Sequence, residues 1–347
     1  MTSKLQNFFL VFASLLIALY ISEIILSFFP QQKTTLERAE KAKKQGINFD
    51  TRTKFEFVED LRAEGQEAFP GIHLWLVTRA LKTDADLYPL SGAANKLTVF
   101  GNESGQYITY VSDQYGFNNQ DIDWEESPEI ALIGDSFVQG AYVPVQKNIA
   151  GNLNAKGLPT LNLGIIGAGP LIELGIIKEY LIHLKPKKVL WFYFEANDLL
   201  DLRREKPFSI LRNYLQPDFR QNLMERQKEL DLFQTDYLEK QLVLERQHYM
   251  RIKARQTREA ENTKAQQESY QSFWSILSLK HLQSRVVTAI NKLRIADDLE
   301  QYDMPLFRKT VSIAADTVSR WGGKFYFIYL PSWERYGSTT PPDMLNY

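Results

Sequence analysis

Ser136, Gly167 and Asn197 are the residues of this chain whose types and settings suit acyl chemistry. Ser136 closes the tripeptide Gly134-Asp135-Ser136. A serine hydroxyl attacks an ester carbonyl, and the tetrahedral oxyanion that forms needs preorganised hydrogen-bond donors. The backbone N–H groups of Ser136 and Gly167, with the side-chain amide of Asn197, would supply three. Gly167 stands in the glycine-rich stretch Gly164-Ile165-Ile166-Gly167-Ala168-Gly169. With no side chain there, the backbone can approach a substrate closely. Asn197 lies in Glu195-Ala196-Asn197-Asp198. Taken alone, Gly-Asp-Ser reads equally as a plain turn, since all three residue types favour turns.

What raises the three above that reading is where each one falls. The apolar run Ile130–Ile133 precedes Ser136 and has the length of a buried strand. Pro159–Leu163 precedes the glycine-rich stretch, and Lys188–Phe194, apolar on both faces like a central parallel strand, precedes Asn197. Helical patterns occupy Val145–Ala155 and Leu171–Leu184 between them. Strand alternating with helix predicts an α/β fold, a parallel sheet with helices on both sides. In such a sheet the carboxyl ends of all strands share one edge, where open sheets place their ligands. Met304–Trp321 reads as a further amphipathic helix stopped by Gly322-Gly323. Lys324–Leu330 reads as a fourth strand, ended by Pro331.

On these residues the chain resembles the SGNH, or GDSL-type, hydrolases. Gly134-Asp135-Ser136 matches the first block of that family. Asn162-Leu163-Gly164-Ile165-Ile166-Gly167 matches the second, and Ala196-Asn197-Asp198 most of the third, with Glu195 where a glycine is usual. The likeness covers Ile130 to Leu200. It implies a three-layer α/β/α, flavodoxin-like sheet, with Ser136 as nucleophile and Gly167 and Asn197 as oxyanion donors. The N-terminal apolar segment and the Tyr115-Gly116-Phe117-Asn118 loop look like membrane-bound members linked to bacterial surface polysaccharides. The implied activity is ester hydrolysis or acyl transfer, with a carbohydrate as donor or acceptor. The family's Asp-x-x-His, which supplies the general base, is not found. The positions three before His73, His183, His248 and His281 hold Pro70, Tyr180, Glu245 and Ser278. His248 alone has an acid there, and it reads as a surface helix residue. A serine without a base is a poor nucleophile. The chain is therefore expected to lack the carboxyl-terminal part of such a domain and to be inactive or impaired. His183, on the helix after the Gly167 turn, is the first substitute base to consider, although it lies far along that helix. The competing reading is a non-catalytic scaffold or binding protein in an envelope polysaccharide assembly.

Composition bounds the rest. The 347 residues are 44% hydrophobic and 24% charged with a net charge of −1, a globular balance that offers nothing to nucleic acid. There is no cysteine, which excludes disulfides, thiol nucleophiles and thiolate metal sites. The four histidines are dispersed, so neither a metal nor another cofactor is expected. Leu5 to Phe29 has the length of a membrane span. No small-x-small cleavage site follows it, which favours an uncleaved anchor over a signal peptide. Lys33, Arg38, Lys41, Lys43 and Lys44 after the span, against Lys4 before it, would keep the large domain in the cytoplasm. The family likeness favours the extracytoplasmic side, and that is the expectation adopted.

The domain reading is an anchor over 1–30, a charged helical tether over 31–54, and a mixed α/β extension over 55–128. The SGNH-type domain then takes 129–347, with a helical insertion at 210–295. In the extension, Leu97–Phe100 and Tyr107–Val111 flank a turn-rich segment and read as a hairpin. Tyr115 and Phe117 either line a site or pin their loop to the core. Asp218–Gln267, without Gly or Pro, reads as long solvated helices and a candidate surface for a protein partner. Tyr270–Leu293 reads as a more apolar helix.

Overall fold

A computed structural model of the chain describes residues 3–27, 35–119, 124–261, 278–279, 282–283, 285–286, 303–332 and 334–337. They divide into two units, 1–45 with 244–298 and 46–243 with 299–347. In the first unit, α1 (Ser3–Ser27) contains one stretch, Gln6–Leu26, long and apolar enough to cross a membrane, and only 6% of it is buried. By length and composition a signal sequence meets the same condition. Glu23, near its end, is buried and accepts the Leu282 N–H at 2.7 Å. The tether is helical as expected. It forms α2 (Thr35–Lys44), with Lys41, Lys43 and Lys44 in the last turn, where cations complement the carbonyl end of a helix. Almost all of the expected helix over Tyr270–Leu293 lies outside the described residues.

The second unit opens with α3 (Lys54–Ala63). Thr53 and Glu56 cap it reciprocally: Glu56 N–H donates to Thr53 Oγ1 at 3.2 Å, and Thr53 N–H to Glu56 Oε2 at 2.8 Å. Next come β1 (Ala68–Pro70), α4 (Leu74–Ala80), β2 (Leu97–Val99) and β3 (Thr109–Val111). β2 and β3 form the expected hairpin, with Leu97 opposite Val111. β1 joins β2 in parallel, Ala68 opposite Leu97, to make a three-stranded sheet. At three residues ending in proline, β1 is too short to show alternation in sequence.

The main sheet is built from β4 (Ile130–Ile133), β5 (Thr160–Asn162), β6 (Lys188–Phe194) and β7 (Lys324–Leu330) in the order β5-β4-β6-β7, all parallel. Between the first two lie α5 (Ser136–Gln139) and α6 (Ile149–Asn154). The helix expected over Val145–Ala155 is thus shorter. Its first residues form a 3₁₀ turn, Val145–Lys147, and Asn148 in extended conformation breaks it to cap α6, its Oδ1 accepting Gly151 N–H at 2.7 Å. α7 (Pro170–Ile176) continues through a π turn, Ile177–Leu181, into Ile182–Leu184. α8 (Asp198–Glu205) and α9 (Ser209–Asn213) follow β6. Then come α10 (Gln227–Glu261), which leaves this unit after Val243, and α11 (Met304–Arg320) before β7. α12 (Glu334–Gly337) follows β7.

Alternate strand residues face opposite ways, which sorts the core into two parts. Ala131, Ile133, Leu161, Val189, Trp191 and Tyr193 join the large cluster with α7, α8 and α11. Ile130, Leu132 and Phe192 pack with Val138 and Ala150, and Leu190, Ile328 and Leu330 border that smaller cluster half-buried. Phe117 is fully buried, and Tyr115 and Phe117 both pack against Tyr180, tilted and edge-on, at 5.7 and 5.2 Å between ring centres. Their loop is pinned to the core.

Candidate active site

The chain leaves β4 through Gly134, where any Cβ would stand 2.5 Å from Val138 Cγ2. Asp135 caps the short helix α5, its Oδ1 accepting Phe137 N–H at 2.9 Å, and Ser136 is the first helical residue, half-buried at the carboxyl edge of the sheet. The end of β5 is pressed onto this helix. A Cβ on Gly164 would lie 2.3 Å from Gln139 N and 2.7 Å from Val138 C. Gly167 is the third residue of a turn closed by Ala168 N–H to Ile165 O at 3.1 Å, and its φ of +76° is the left-handed value that favours glycine there.

Buried amides tie the Ser136 helix to the Gly167 turn. Asn162 donates to Val138 O at 2.9 Å and accepts Gly164 N–H at 3.0 Å. Gln139 accepts Ile166 N–H at 2.7 Å and donates to Tyr110 Oη at 3.2 Å. Asn119 grips the backbone of Asn162 on both sides, at 2.8 and 2.9 Å, and Asn118 donates to Gln139 O at 2.8 Å. Asp113 holds that loop closed by accepting from Tyr115 N, Phe117 N and Asn119 Nδ2. Ser136 and Gly167 therefore belong to one hydrogen-bonded unit. Among the described residues, neither of their backbone N–H groups donates a hydrogen bond.

Asn197 reaches the same edge, at the start of α8. Its Nδ2 donates to Asp135 Oδ2 at 3.2 Å and to Asp201 Oδ2 at 3.0 Å, and its buried Oδ1 has no partner among the described residues. The amide thus sits beside the serine block with its donors turned to carboxylates. Glu195 lies two residues before Asn197. It pairs with Arg335, whose Nε lies 3.0 Å away, and accepts Ser332 N–H at 2.9 Å. Burial works against its charge, but Arg335 and the Ser332 N–H hold it below the ordinary glutamate range.

Behind the serine lies a group of buried carboxylates that sequence reasoning missed. Asp135, Glu173, Asp198, Asp201 and Glu205 are all buried. Glu205 accepts Gly169 N–H at 2.6 Å and Leu171 N–H at 2.9 Å, and Asp198 accepts Phe194 N–H at 2.7 Å. Among the described residues, neither Glu173 oxygen has a hydrogen-bond partner, although the Trp191 indole comes near. Burial pushes all five carboxyl groups up. For Glu173 the charges of Asp198 and Asp135 add to it. The Ser136 hydroxyl is one of the donors that partly offset burial at Asp135. One signal was present in the sequence: Glu173 interrupts the otherwise apolar run Pro170–Ile177. Among the described residues, no three ligating side chains are grouped to hold a metal ion.

The histidines fall as follows. His183 lies at the amino-terminal end of β6, the opposite edge of the sheet from Ser136, with its Nε2 3.4 Å from Arg220. Its place beyond the far end of α7 removes it as a substitute base. His248 is on the part of α10 belonging to the other unit, and His281 lies outside the described residues. His73 precedes α4, whose first N–H, that of Leu74, donates to Ile166 O at 3.0 Å. Burial first, then the nearby Lys54 charge, push His73 down to about 4, so its imidazole is neutral near pH 7.

Comparison with protein-family models, with curated proteins and with solved structures finds no match.

Proposed function

We propose that this chain is a membrane-anchored serine enzyme of the SGNH type, with a three-layer α/β/α domain. It would move an acyl group from an ester to water or to a carbohydrate hydroxyl, at a low rate. The observation that carries the reading is the hydrogen-bonded unit holding Ser136 against the Gly167 turn, with both backbone N–H groups unengaged among the described residues. Ser136 Oγ adds to the carbonyl carbon, and the oxygen takes up charge facing the two N–H groups. Asp135 takes the Ser136 proton and passes it to the departing alcohol as the intermediate collapses to an acyl-serine. Water or a carbohydrate hydroxyl then takes the acyl group, its proton returning through Asp135 to Ser136 Oγ. Asn197 joins the oxyanion donors on releasing Asp135. Phe137, about half exposed, and Phe194 pack with ring centres 4.5 Å apart and give the acyl group an apolar lip. Asp135 is the carboxylate the serine hydroxyl meets, and as proton acceptor it is a weak one. With Asp135 in place of an imidazole as the base, the rate is lower by ~10²–10⁴-fold.

A fluorophosphonate probe tests this. In the full chain it should label Ser136, read by mass spectrometry of the peptide, and Ser136→Ala should remove both the label and slow hydrolysis of an aryl acetate. His73→Gln and Asp135→Asn then identify the proton acceptor by which of them slows labelling. The engagement of Asn197 by Asp135 and Asp201 favours the second reading, a non-catalytic scaffold. Folded chain that stays unlabelled would end the enzyme reading and leave the scaffold as the reading to test.

The anchor has its own test. Alkaline carbonate should leave the chain in the membrane pellet because of the span Gln6–Leu26. Protease treatment of spheroplasts should then degrade the large domain if it is exported, and release by carbonate would remove the anchor from the proposal.

A further inference from the structure

At the sheet edge opposite Ser136, a cavity of about 420 Å³ takes no part in the acyl chemistry. Its walls include Lys185, just before β6, Trp321, just before β7, and Arg320, Thr317, Asp218 and Arg220. Three cations thus face a single carboxylate. Among the described residues, Asp218 forms no ion pair with any of the three.

The wall carrying Arg220 is firmly built. It belongs to the segment between α9 and α10, and two buried side chains of the π turn hold that segment. Lys178, 1% exposed, donates to Tyr214 O at 3.0 Å and to Gln216 O. Glu179 accepts from Tyr214 Oη at 2.7 Å, Leu223 N at 2.9 Å and Gln221 N. π turns recur at functional positions because the extra residue redirects side chains without ending the helix. The opposite wall is fixed by Trp321, whose indole N–H donates to Pro186 O at 3.1 Å. Lys185 holds φ at +48°, a backbone conformation that side-chain-bearing residues rarely adopt. The Arg220 guanidinium lies 3.4 Å from His183 Nε2, which as acceptor helps to hold it.

We propose that this cavity binds a phosphate-bearing ligand. Guanidinium forks match pairs of phosphate oxygens, and the Lys185 ammonium adds a point charge. A concave site with a net excess of positive charge also concentrates anions. The cavity has room beyond the phosphate for an attached group, which would lie against the indole of Trp321. The phosphate can come from a soluble phosphorylated compound or from a phospholipid headgroup. This inference does not depend on the acyl chemistry of Ser136.

The test uses the full chain in phosphatidylcholine nanodiscs. Phenylglyoxal modifies accessible arginines, and peptide mass spectrometry reads the rate at Arg220, Arg320 and, as reference, the exposed Arg212. Pyrophosphate should slow modification of Arg220 and Arg320 roughly five-fold when present at about four times its dissociation constant. Arg212 should be unaffected, and sodium chloride of equal ionic strength should not reproduce the effect. Arg320→Gln should weaken the protection of Arg220. Nanodiscs containing phosphatidylglycerol, without pyrophosphate, form the second arm: protection there and not with pyrophosphate assigns the headgroup as source. No protection in either arm, or equal protection of Arg212, would overturn the proposal.

Discussion

Gly164→Ala is expected to destabilise the second unit by about 3 kcal/mol or more, at the upper end of the cost of overpacking. The added methyl carbon would stand 2.3 Å from Gln139 N and 2.7 Å from Val138 C. Both are backbone atoms of the Ser136 helix, so no rotamer change relieves the contact. To admit the methyl group, the end of β5 or α5 must move. Either movement breaks the bonds of Asn162 to Val138 O and Gly164 N, and leaves buried polar groups unsatisfied. Gly164 is not among the glycines with positive φ, so the cost is steric and not conformational. Urea unfolding should show a lower midpoint with an unchanged slope. Labelling of Ser136 by the fluorophosphonate should fall with it. A midpoint equal to that of the parent chain would mean that β5 and α5 are not in contact as described.

Glu173→Gln is expected to stabilise the protein at pH 8, on the order of 1–2 kcal/mol, and to do little at pH 4. Burial, and then the charges of Asp198 and Asp135, raise the folded-state pKa of Glu173 well above its unfolded value. A carboxyl group raised in this way contributes stability fully below its unfolded pKa, where both states hold the proton. That contribution is lost as pH rises through the folded pKa, because the folded state must then bury an unpaired charge. Glutamine keeps the shape and carries no such charge. Melting temperature followed from pH 4 to pH 8 should therefore decline less in the variant than in the parent. Parallel curves would place the buried charge elsewhere in the carboxylate group. Asp198 is the next candidate, although the Phe194 N–H at 2.7 Å already supports its ionised form.

The main sheet was legible because β4, β6 and β7 are short, nearly uninterrupted apolar runs, and Lys324–Leu330 emerged with the same limits that the structure has. Ser136 and the Gly167 turn were legible for a related reason, since strand ends in a parallel sheet share an edge. Less could be read where spacing carries no information. The helix α5 has one turn, too short for a period to register. The π turn differs from α-helix only in its bonding. Asp135, Glu173, Asp198, Asp201 and Glu205 come from three segments, so their grouping appears only when α7 and α8 pack together. Asn162 was visible in the stretch leading to Gly167, but nothing in sequence showed that its side chain would join a strand end to the helix carrying Ser136. The direction of the Asn197 amide was equally hidden, because a side chain's choice between a substrate and two carboxylates depends on where Asp135 and Asp201 stand.

The pairing of β6 with β7 has a consequence for biosynthesis. Lys188 to Phe194 aligns with Lys324 to Leu330 along its whole length, yet α8, α9, α10 and α11 separate the two in sequence. A ribosome therefore delivers Trp191, Phe192, Tyr193 and Phe194 long before their outer neighbour. During that interval β6 is the margin of a three-stranded sheet, aromatic and with half of its peptide groups unpaired. Such margins recruit strands from other chains, and pairing across a long intervening segment is slow to form. The nascent chain is thus most exposed to misassembly between the emergence of β6 and that of β7, the period in which a chaperone would contribute most.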